Sequence, residues 1–313
     1  MIIPIISIAF GLLILVLLLS FAIFMKAFYS PKRKPLKEGE YRLARGKIYE
    51  PYHEQIKKWT DDMRAAEHQK VSITSFDGLK LKGKYYENKK GAPIEIMFHG
   101  YRSTDEHDLC GGVYRCKRLG FNTLIIEQRG SGNSEGHVIT FGAKESRDCL
   151  SWVNFVINNI DKDAKIIITG ISMGAATVMT AASMDLPKNV IGVLADCGYS
   201  STRDIIKVVM RGMKLPADIL YPFARLGAII FGGFDPDKRS PKKSMEKCHI
   251  PVIFFHGDED KYVPCYMSRE NYDACASEKK RLVITKGAGH GLCFMVDMDG
   301  YFREVEDFFK DII

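Results

Sequence analysis

The sequence predicts an α/β fold in which a mostly parallel sheet carries helices on both faces. After residue 93, short apolar runs alternate with segments of helical character. Apolar strands joined by helical crossovers are typical of a parallel sheet that is buried on both sides. The apolar runs lie near 94–98, 123–126, 166–168, 190–194, 252–255 and 282–284. The helical segments lie near 106–119, 144–159, 173–184, 266–277 and 301–311.

Length and composition fit this fold. A chain of 313 residues suits one large α/β domain with an appendage. Its 46% hydrophobic and 27% charged residues are typical of a globular protein. The formal net charge of +7 is modest, and no basic run is interleaved with aromatic residues. We therefore expect no nucleic-acid partner.

The N-terminal segment predicts a transmembrane helix. Residues 2–25 form an uncharged, apolar run that is long enough to cross a bilayer as a helix. No Lys or Arg precedes the run and no small-x-small cleavage pattern follows it, so an uncleaved anchor is favoured over a signal peptide. Basic residues cluster directly after it, and the positive-inside rule then predicts a single-pass protein whose main domain is cytoplasmic. These residues are Lys26, Lys32, Arg33, Lys34 and Lys37.

The start of the main domain is marked by a hairpin. Residues 31–70 predict a basic, Pro-containing tether and a polar helical lead-in, and we favour a solvated linker over lipid-headgroup contact. Segments 71–76 and 79–86 flank Asp77-Gly78, a strong hairpin signal. We expect an anchor over 1–30, the tether and lead-in over 31–70, and the main domain over 71–313.

The eight cysteines indicate a reducing environment. They form no C-x-x-C pair and no metal-ligand spacing, and several lie inside apolar or helical runs. Reduced core cysteine is commonest in such positions. They are Cys110, Cys116, Cys149, Cys197, Cys248, Cys265, Cys275 and Cys293.

Residues 170–174 read G-I-S-M-G and predict a nucleophile elbow at Ser172. An apolar run precedes the pentapeptide and a small-residue helical run follows it, which is the strand–turn–helix context such an elbow needs. Glycine at 170 and 174 lets strand and helix approach without colliding Cβ atoms. The helix N-terminus also directs free N–H groups to the place where an oxyanion forms.

A serine nucleophile needs a base, and an acid that orients the base. After an elbow of this kind the acid and then the base follow along the chain. His290 fits the base, because it lies between glycines on a loop after the 282–285 run and before the last helix. The loop after 252–255 offers Asp258, Glu259 and Asp260 as acids, and Asp196 on the preceding strand is a rival.

Four motifs in order resemble the α/β-hydrolase superfamily of serine hydrolases, which includes esterases, lysophospholipases and serine aminopeptidases. The resemblance covers roughly residues 70 to 313. Residues 99–101 resemble the H-G-x oxyanion turn, and 127–134 resemble D-x-R-G-x-G-x-S with Glu127 in place of Asp. The elbow follows, and 256–264 with 287–290 resemble H-G-x-x-D-x-x-V-P and G-x-G-H.

The resemblance implies a Ser-His-Asp triad with Asp260 as its acid. It also implies an oxyanion hole formed by the backbone N–H groups of Met173 and Tyr101. No metal and no organic cofactor is expected. His99 is expected to brace the oxyanion turn, and Arg129 to make structural bonds.

The insert at about 202–249 resembles the cap that many of these enzymes place over the site. Its apolar residues either cover the sheet or receive an acyl chain, and both interpretations stay open. We expect a hydrolase of carboxylic esters or thioesters with an apolar acyl group. A serine aminopeptidase is the alternative, and its substrate amine would need a carboxylate from the cap. A non-catalytic binding protein is a third hypothesis, but no triad member is missing. The candidate cap carboxylates are Asp204, Asp218, Asp235 and Asp237.

Overall fold

The computed structural model describes residues 2–32, 36–37 and 39–313, with no side-chain detail for Ile2 and Ile3. Arg33 and Lys34 of the predicted basic cluster lie outside the described residues. The strands are β1 Gln69–Thr74, β2 Lys80–Tyr86, β3 Ile94–Phe98, β4 Asn122–Glu127, β5 Ile166–Ile171, β6 Val190–Asp196, β7 Val252–Gly257 and β8 Lys280–Thr285. The helices are α1 Ile2–Ala27, α2 His53–Ala65, α3 Asp105–Leu119, α4 Glu145–Asn159, α5 Met173–Ala181, α6 Thr202–Gly212, α7 Ala217–Gly232, α8 Pro241–Met245, α9 Tyr266–Ala274, α10 Cys293–Val296 and α11 Met298–Phe309.

The eight strands form one sheet in the order β1-β2-β4-β3-β5-β6-β7-β8. The first two pairings, β1 with β2 and β2 with β4, are antiparallel, and every pairing from β4 to β8 is parallel. The predicted hairpin at Asp77-Gly78 is present, with Thr74 opposite Lys80 and Gly78 at φ +90°. The mostly parallel α/β sheet predicted from the sequence is confirmed.

Helices cover both faces of the sheet. On one face α4 and α5 bury Trp152, Val156 and Met179 against strands β3 to β7. On the other face α2, α3 and α11 bury Trp59, Leu109 and other apolar side chains. Alternation along each strand supplies both layers, because successive side chains point to opposite faces. Because strands β3 to β8 run parallel, their carboxyl ends lie at one edge of the sheet. The loops that carry residues 99–101, Ser172 and Asp260 lie at this edge.

The N-terminal helix α1 is long and apolar enough to cross a membrane. Its span Pro4–Ala27 has a mean hydropathy of 3.0 and only 11% of its most apolar window is buried, although a signal sequence would pass the same test. Its last turns pack on α7 of the insert. A Cβ on Gly227 would lie 2.4 Å from the Ser20 carbonyl oxygen, and the rings of Phe21 and Phe231 are 5.0 Å apart.

The chain after α1 stays in contact with the main domain. Phe24 and Phe28 are buried, and Tyr29 forms a β-bridge with Val138. The Ser30 amide donates to the His137 carbonyl at 2.7 Å. The N-terminal helix therefore ends inside the folded domain and not in a free tether.

The lead-in helix α2 packs against α3. Its Trp59 ring stacks on Tyr114 at 5.0 Å and on Phe294 at 5.5 Å. The facing residue on α3 is Gly111, where a Cβ would come within 3.1 Å of the Trp59 ring. The polar helical lead-in predicted within residues 31–70 is thus a covering layer of the domain.

Candidate active site

The turn between β5 and α5 has the geometry of a nucleophile elbow. Ser172 has φ +55° and ψ −116°, a strained conformation for a residue other than glycine. A Cβ on Gly170 would lie 2.1 Å from the backbone of Gly174, and a Cβ on Gly174 would lie 1.9 Å from the Phe98 carbonyl oxygen. No side chain fits at either glycine, so strand, turn and helix approach closely only with this pair.

His290 lies between Ser172 and Asp260. Its Nε2 is 2.9 Å from the Ser172 Oγ, and its Nδ1 is 2.6 Å from the Asp260 Oδ2. A neutral imidazole with Nδ1–H donating to Asp260 has Nε2 free to accept from the serine hydroxyl. The structure thus brings together the three residues that the sequence singled out from three separate loops.

Asp260 is buried and held in its ionised form. Burial alone would raise the pKa of this carboxyl, but hydrogen bonds from His256 and His290 and from the Val263 amide lower it well below its usual range. The Oδ1 atom accepts from the amides of Tyr262 at 2.8 Å and Val263 at 2.9 Å. Two amides on one oxygen and a histidine on the other fix the carboxylate plane.

The other carboxylates considered have different partners. Asp258 accepts from the Gly287 amide at 2.6 Å, which closes the turn before the histidine loop. Asp196 accepts from the Tyr301 hydroxyl at 3.2 Å, and burial raises its pKa. Neither has a hydrogen bond to His290 among the described residues, so Asp260 alone of these carboxylates contacts the imidazole.

The predicted donors of the oxyanion hole are the backbone amides of Met173 and Tyr101. Met173 is the first residue of α5, where helix geometry leaves the N–H without an intrahelical acceptor. Tyr101 follows Gly100, where an added Cβ would lie 3.5 Å from the Ser172 Cβ. In the described part of the chain neither amide has a hydrogen-bond acceptor. Both are available to a charge on an acyl oxygen.

Two neighbours hold the 99–101 turn, and both were missed by sequence reasoning. The Gly100 amide donates to Asp108 on α3 at 2.7 Å. The end of α1 provides the second support. The Tyr101 hydroxyl donates to the Ala27 carbonyl at 2.7 Å, and Arg102 donates to the carbonyls of Lys26 at 2.9 Å and Tyr29 at 2.6 Å. Only the position of Asp108 and Arg102 close to the H-G-x motif could have drawn attention to them.

His99 and Arg129 have structural partners. His99 is buried, and its Nε2 accepts from the Gln128 amide at 3.1 Å, which ties the oxyanion turn to the loop after β4. Burial lowers the pKa of His99, so the neutral ring is favoured. Arg129 donates to Asp148 on α4 and to Asp77 in the hairpin turn, with distances of 2.6 to 3.0 Å.

A cavity of about 340 Å³ opens beside Ser172 and His290. Its walls come from the lead-in, α2, α3 and α10, and none of its lining residues belongs to the 202–249 insert. Of the two interpretations left open for the insert, the one in which it receives an acyl chain has no support from this cavity; α7 packs on α1 instead. The apolar wall residues include Ile56, Trp59, Leu109, Leu292, Phe294 and Met295.

Cys197 is a close neighbour of Asp260 and His290. Potential ligand atoms of Cys197, Asp260 and His290 lie within 4.8 Å of one another. Burial raises the pKa of the Cys197 thiol well above its usual value, which disfavours the thiolate that a metal would need. The hydrogen bonds among Ser172, His290 and Asp260 account for this cluster, and the absence of a metal site stays a prediction.

Comparisons with known proteins place these features in context. The family described as serine hydrolase FSH1 matches residues 206–293, a segment that contains Asp260 and His290 and begins after Ser172. The chain is 28% identical over 245 residues to the uncharacterized protein YqkD of Bacillus subtilis, covering 77% of this chain and 78% of that one. It is 26% identical over 247 residues to protein bem46 of Schizosaccharomyces pombe, with 77% and 74% covered.

One further relative and two solved structures carry names of activities. Thiohydrolase aneE of Aspergillus aculeatus is 24% identical over 197 residues, covering 62% of this chain and 58% of that protein. The Pyrococcus furiosus esterase Pf2001 is 26% identical, with a TM-score of 0.65 over 81% of this chain and 95% of the esterase. Est1E from Butyrivibrio proteoclasticus, solved with ferulic acid, has a TM-score of 0.59 at 20% identity, covering 77% and 98%, and shows the shared fold alone.

Proposed function

We propose that this chain, which is a serine hydrolase of the α/β-hydrolase superfamily, cleaves carboxylic esters or thioesters through a triad of Ser172, His290 and Asp260. The observation that carries the proposal is the position of His290, within 2.9 Å of the serine hydroxyl and 2.6 Å of the carboxylate. This arrangement lies at the mouth of a cavity large enough for part of a small substrate.

The first half of the reaction forms an acyl-enzyme. Ser172 Oγ attacks the acyl carbon while its proton passes to His290 Nε2. The carbonyl oxygen becomes an oxyanion, which accepts hydrogen bonds from the amides of Met173 and Tyr101. The tetrahedral intermediate then collapses, and the departing alcohol or thiol takes the proton from His290.

The second half releases the acid. His290 removes a proton from a water molecule, whose oxygen attacks the acyl-enzyme carbonyl, and a second oxyanion forms in the same place. Its collapse returns the proton to Ser172 Oγ and frees the carboxylic acid. Asp260 stays ionised throughout, because its hydrogen bonds keep its pKa low, and it stabilises the imidazolium formed in each half.

The substrate we propose has an apolar acyl group. Support comes from the apolar wall of the cavity, to which Trp59, Leu109 and Phe294 contribute. The names of a thiohydrolase relative and of an esterase of similar structure support the thioester and ester alternatives respectively.

A serine aminopeptidase remains the alternative, but the cap carboxylates give it no support. Asp218 pairs with Lys207 and Arg211, Asp235 pairs with Arg225, and Asp237 pairs with Arg203. Neither these three nor Asp204 lines the cavity beside Ser172. A substrate amine in that cavity would meet none of them.

We also propose that α1 is an uncleaved membrane anchor with the hydrolase on the cytoplasmic side. The apolar length of α1 and the basic residues after it support this topology. The burial of Phe24 and Phe28 supports retention, because cleavage near residue 30 would strip both rings from the core around α7.

The test of the triad is labelling by a fluorophosphonate and turnover of a graded series of acyl esters and thioesters beside aminoacyl amides. Ser172→Ala should lose both labelling and turnover while its thermal unfolding resembles that of the wild type. Ser151→Ala, a serine on the outer face of α4, is the matched control and should retain both. Labelling that persists in Ser172→Ala would assign the nucleophile to another residue.

A further inference from the structure

The inner part of the active-site cavity is polar. Three of its lining residues have a buried polar atom for which the described residues offer no hydrogen-bond partner: Thr169 Oγ1, Asp196 Oδ1 and Arg115 Nε. Their residues are only 6%, 7% and 4% exposed. Buried polar groups are rarely left unpaired, since each costs the free energy of its lost hydration.

The three atoms belong to one layer of the molecule. Asp196 on β6 pairs in register with Ile171 on β5, and Thr169 lies two residues before Ile171. The side chains of Thr169, Ile171 and Asp196 therefore point to the same face of the sheet. That face is covered by α3, which carries Arg115. Thr169 is three residues before Ser172, or about 10 Å along an extended strand. The polar floor is defined as Thr169, Asp196 and Arg115; within it Asp196 is level with Ile171, and Thr169 lies farther along β5 from the nucleophile.

The other partners of the floor determine what it can bind. The Arg115 guanidinium is paired with Glu95, so its charge is already balanced. Asp196 uses Oδ2 to accept from the Tyr301 hydroxyl, and the Cys293 thiol also hydrogen-bonds to this carboxylate, while Oδ1 has no partner among the described residues. The Thr169 hydroxyl and the Arg115 Nε–H can donate. One acceptor and two donors on the lining of the same cavity match a group that both donates and accepts, whereas a second carboxylate would face Asp196 and Glu95.

We propose that the polar floor is a subsite for a hydroxyl group at the far end of the substrate's acyl chain. The inference rests on the proposed function, in which the acyl group enters this cavity from Ser172. The hydroxyl donates to Asp196 Oδ1 and accepts from Thr169 or Arg115, while the apolar walls enclose the intervening chain. The substrate class is therefore a hydroxyacyl ester or thioester.

The experiment compares two ester series of increasing acyl length, one ending in methyl and the other in hydroxyl, on the full-length protein. The measured quantity is the ratio of kcat/KM for the hydroxylated ester to that for the plain ester. At short lengths the ratio should fall below one, because a hydroxyl is then held against apolar walls. At the length that reaches the floor it should rise to about tenfold or more, since the plain ester leaves the floor unpaired.

Two variants test which residues cause the preference. Thr169→Val keeps the side-chain shape and removes the hydroxyl, and Asp196→Asn changes the acceptor; each should bring the peak ratio down toward one. The ratio does not depend on the fraction of folded enzyme, so partial unfolding of a variant cannot imitate this loss. Thr180→Val is the matched control, because Thr180 is a buried threonine of α5 outside the cavity lining, and it should keep the wild-type ratio.

Several results would overturn the inference. A ratio at or below one at every length, in an enzyme whose turnover depends on Ser172, would mean that the floor holds water only. A larger preference for an amino-terminated series would assign the floor to an amine. Turnover that survives in Ser172→Ala is a different failure, because it would remove the proposed function itself.

Discussion

Asp260 is the residue on which the orientation of His290 depends. Replacing it with Asn should lower kcat by about 10⁴-fold, because an amide no longer enforces the Nδ1–H tautomer. Asp258→Asn, two positions away, is the matched control and should have a far smaller effect, since Asp258 contacts the Gly287 amide and not the imidazole. Steady-state kinetics of both variants decides between them. A greater loss in Asp258→Asn would show that the triad acid is wrongly assigned.

The same carboxylate makes stability depend on pH. Since the pKa of Asp260 is lowered in the folded state, its ionised form contributes stability that is fully present above the pKa of an unfolded Asp, about 4, and is lost as the pH falls from there through the much lower folded pKa. The thermal midpoints of wild type and Asp260→Asn should therefore differ most near neutral pH and converge in that range. A difference that stays constant down to about pH 3 would mean that the charge adds no stability.

Gly174 is a residue whose missing side chain can be tested directly. A Cβ there would overlap the Phe98 carbonyl, so Gly174→Ala should destabilise the protein by about 2 kcal/mol or more. In Gly212→Ala the added methyl meets open space at the end of α6, and stability should stay equal or rise by up to about 1 kcal/mol. Thermal or denaturant unfolding of the two variants measures this contrast. Equal midpoints would mean that the elbow relaxes at little cost.

At the scale of elements, three side-chain hydrogen bonds from Tyr101 and Arg102 connect the turn after β3 to α1 and to Tyr29, two residues beyond it. Arg102 has φ +52° and donates to two carbonyls at the end of α1. Arg102→Gln should lower kcat by at least about tenfold with a smaller change in KM, because a displaced Tyr101 amide weakens the oxyanion hole. Arg303→Gln, an exposed arginine of α11, is the control. Unchanged kcat in Arg102→Gln would mean that Asp108 and the Tyr101 hydroxyl hold the turn without Arg102.

Elements with strong local signals were predictable, and contacts between distant elements were not. The apolar runs of β3 to β8, the Asp77-Gly78 hairpin and the glycine pair around Ser172 each record their structure within a few residues. The cavity wall at Trp59 depends on α2 meeting Gly111 of α3, some fifty positions along the chain. The packing of α7 on α1 likewise joins a helix of the insert to the N-terminal helix, which is far away in the sequence. No local pattern identifies such a partner.

Choice among the acids was an intermediate case. Chain order and turn chemistry left Asp196, Asp258, Glu259 and Asp260 open, because all four lie at or just after strand ends on the same edge of the sheet. Only the positions of the side chains distinguish them. Asp260 contacts His290, Asp258 accepts from the Gly287 amide, and Asp196 accepts from the Tyr301 hydroxyl. The resemblance of residues 256–260 to H-G-x-x-D indicates Asp260 as the acid.

At the scale of the whole molecule, the proposed topology predicts a protected, full-length protein. Fractionation should recover the intact chain with membranes, and a protease added outside intact cells should spare the hydrolase domain. The basic residues after α1 are the physical reason, since they favour the cytoplasmic face. A soluble chain that begins near residue 30 would instead show a cleaved signal peptide. Digestion of the domain from outside would reverse the orientation.

The contact between Ser20 and Gly227 has a kinetic consequence for a chain anchored as proposed. A hydrolase domain on a flexible linker would reorient freely above the membrane and reach substrate in solution. Because α1 and α7 are in close contact at Ser20 and Gly227, the tilt and height of the domain above the bilayer are fixed instead. Encounter then becomes a two-dimensional search in which catalysis follows the mole fraction of substrate within the leaflet. Diluting that substrate with inert lipid would slow the enzyme even when the total amount in the vessel is constant.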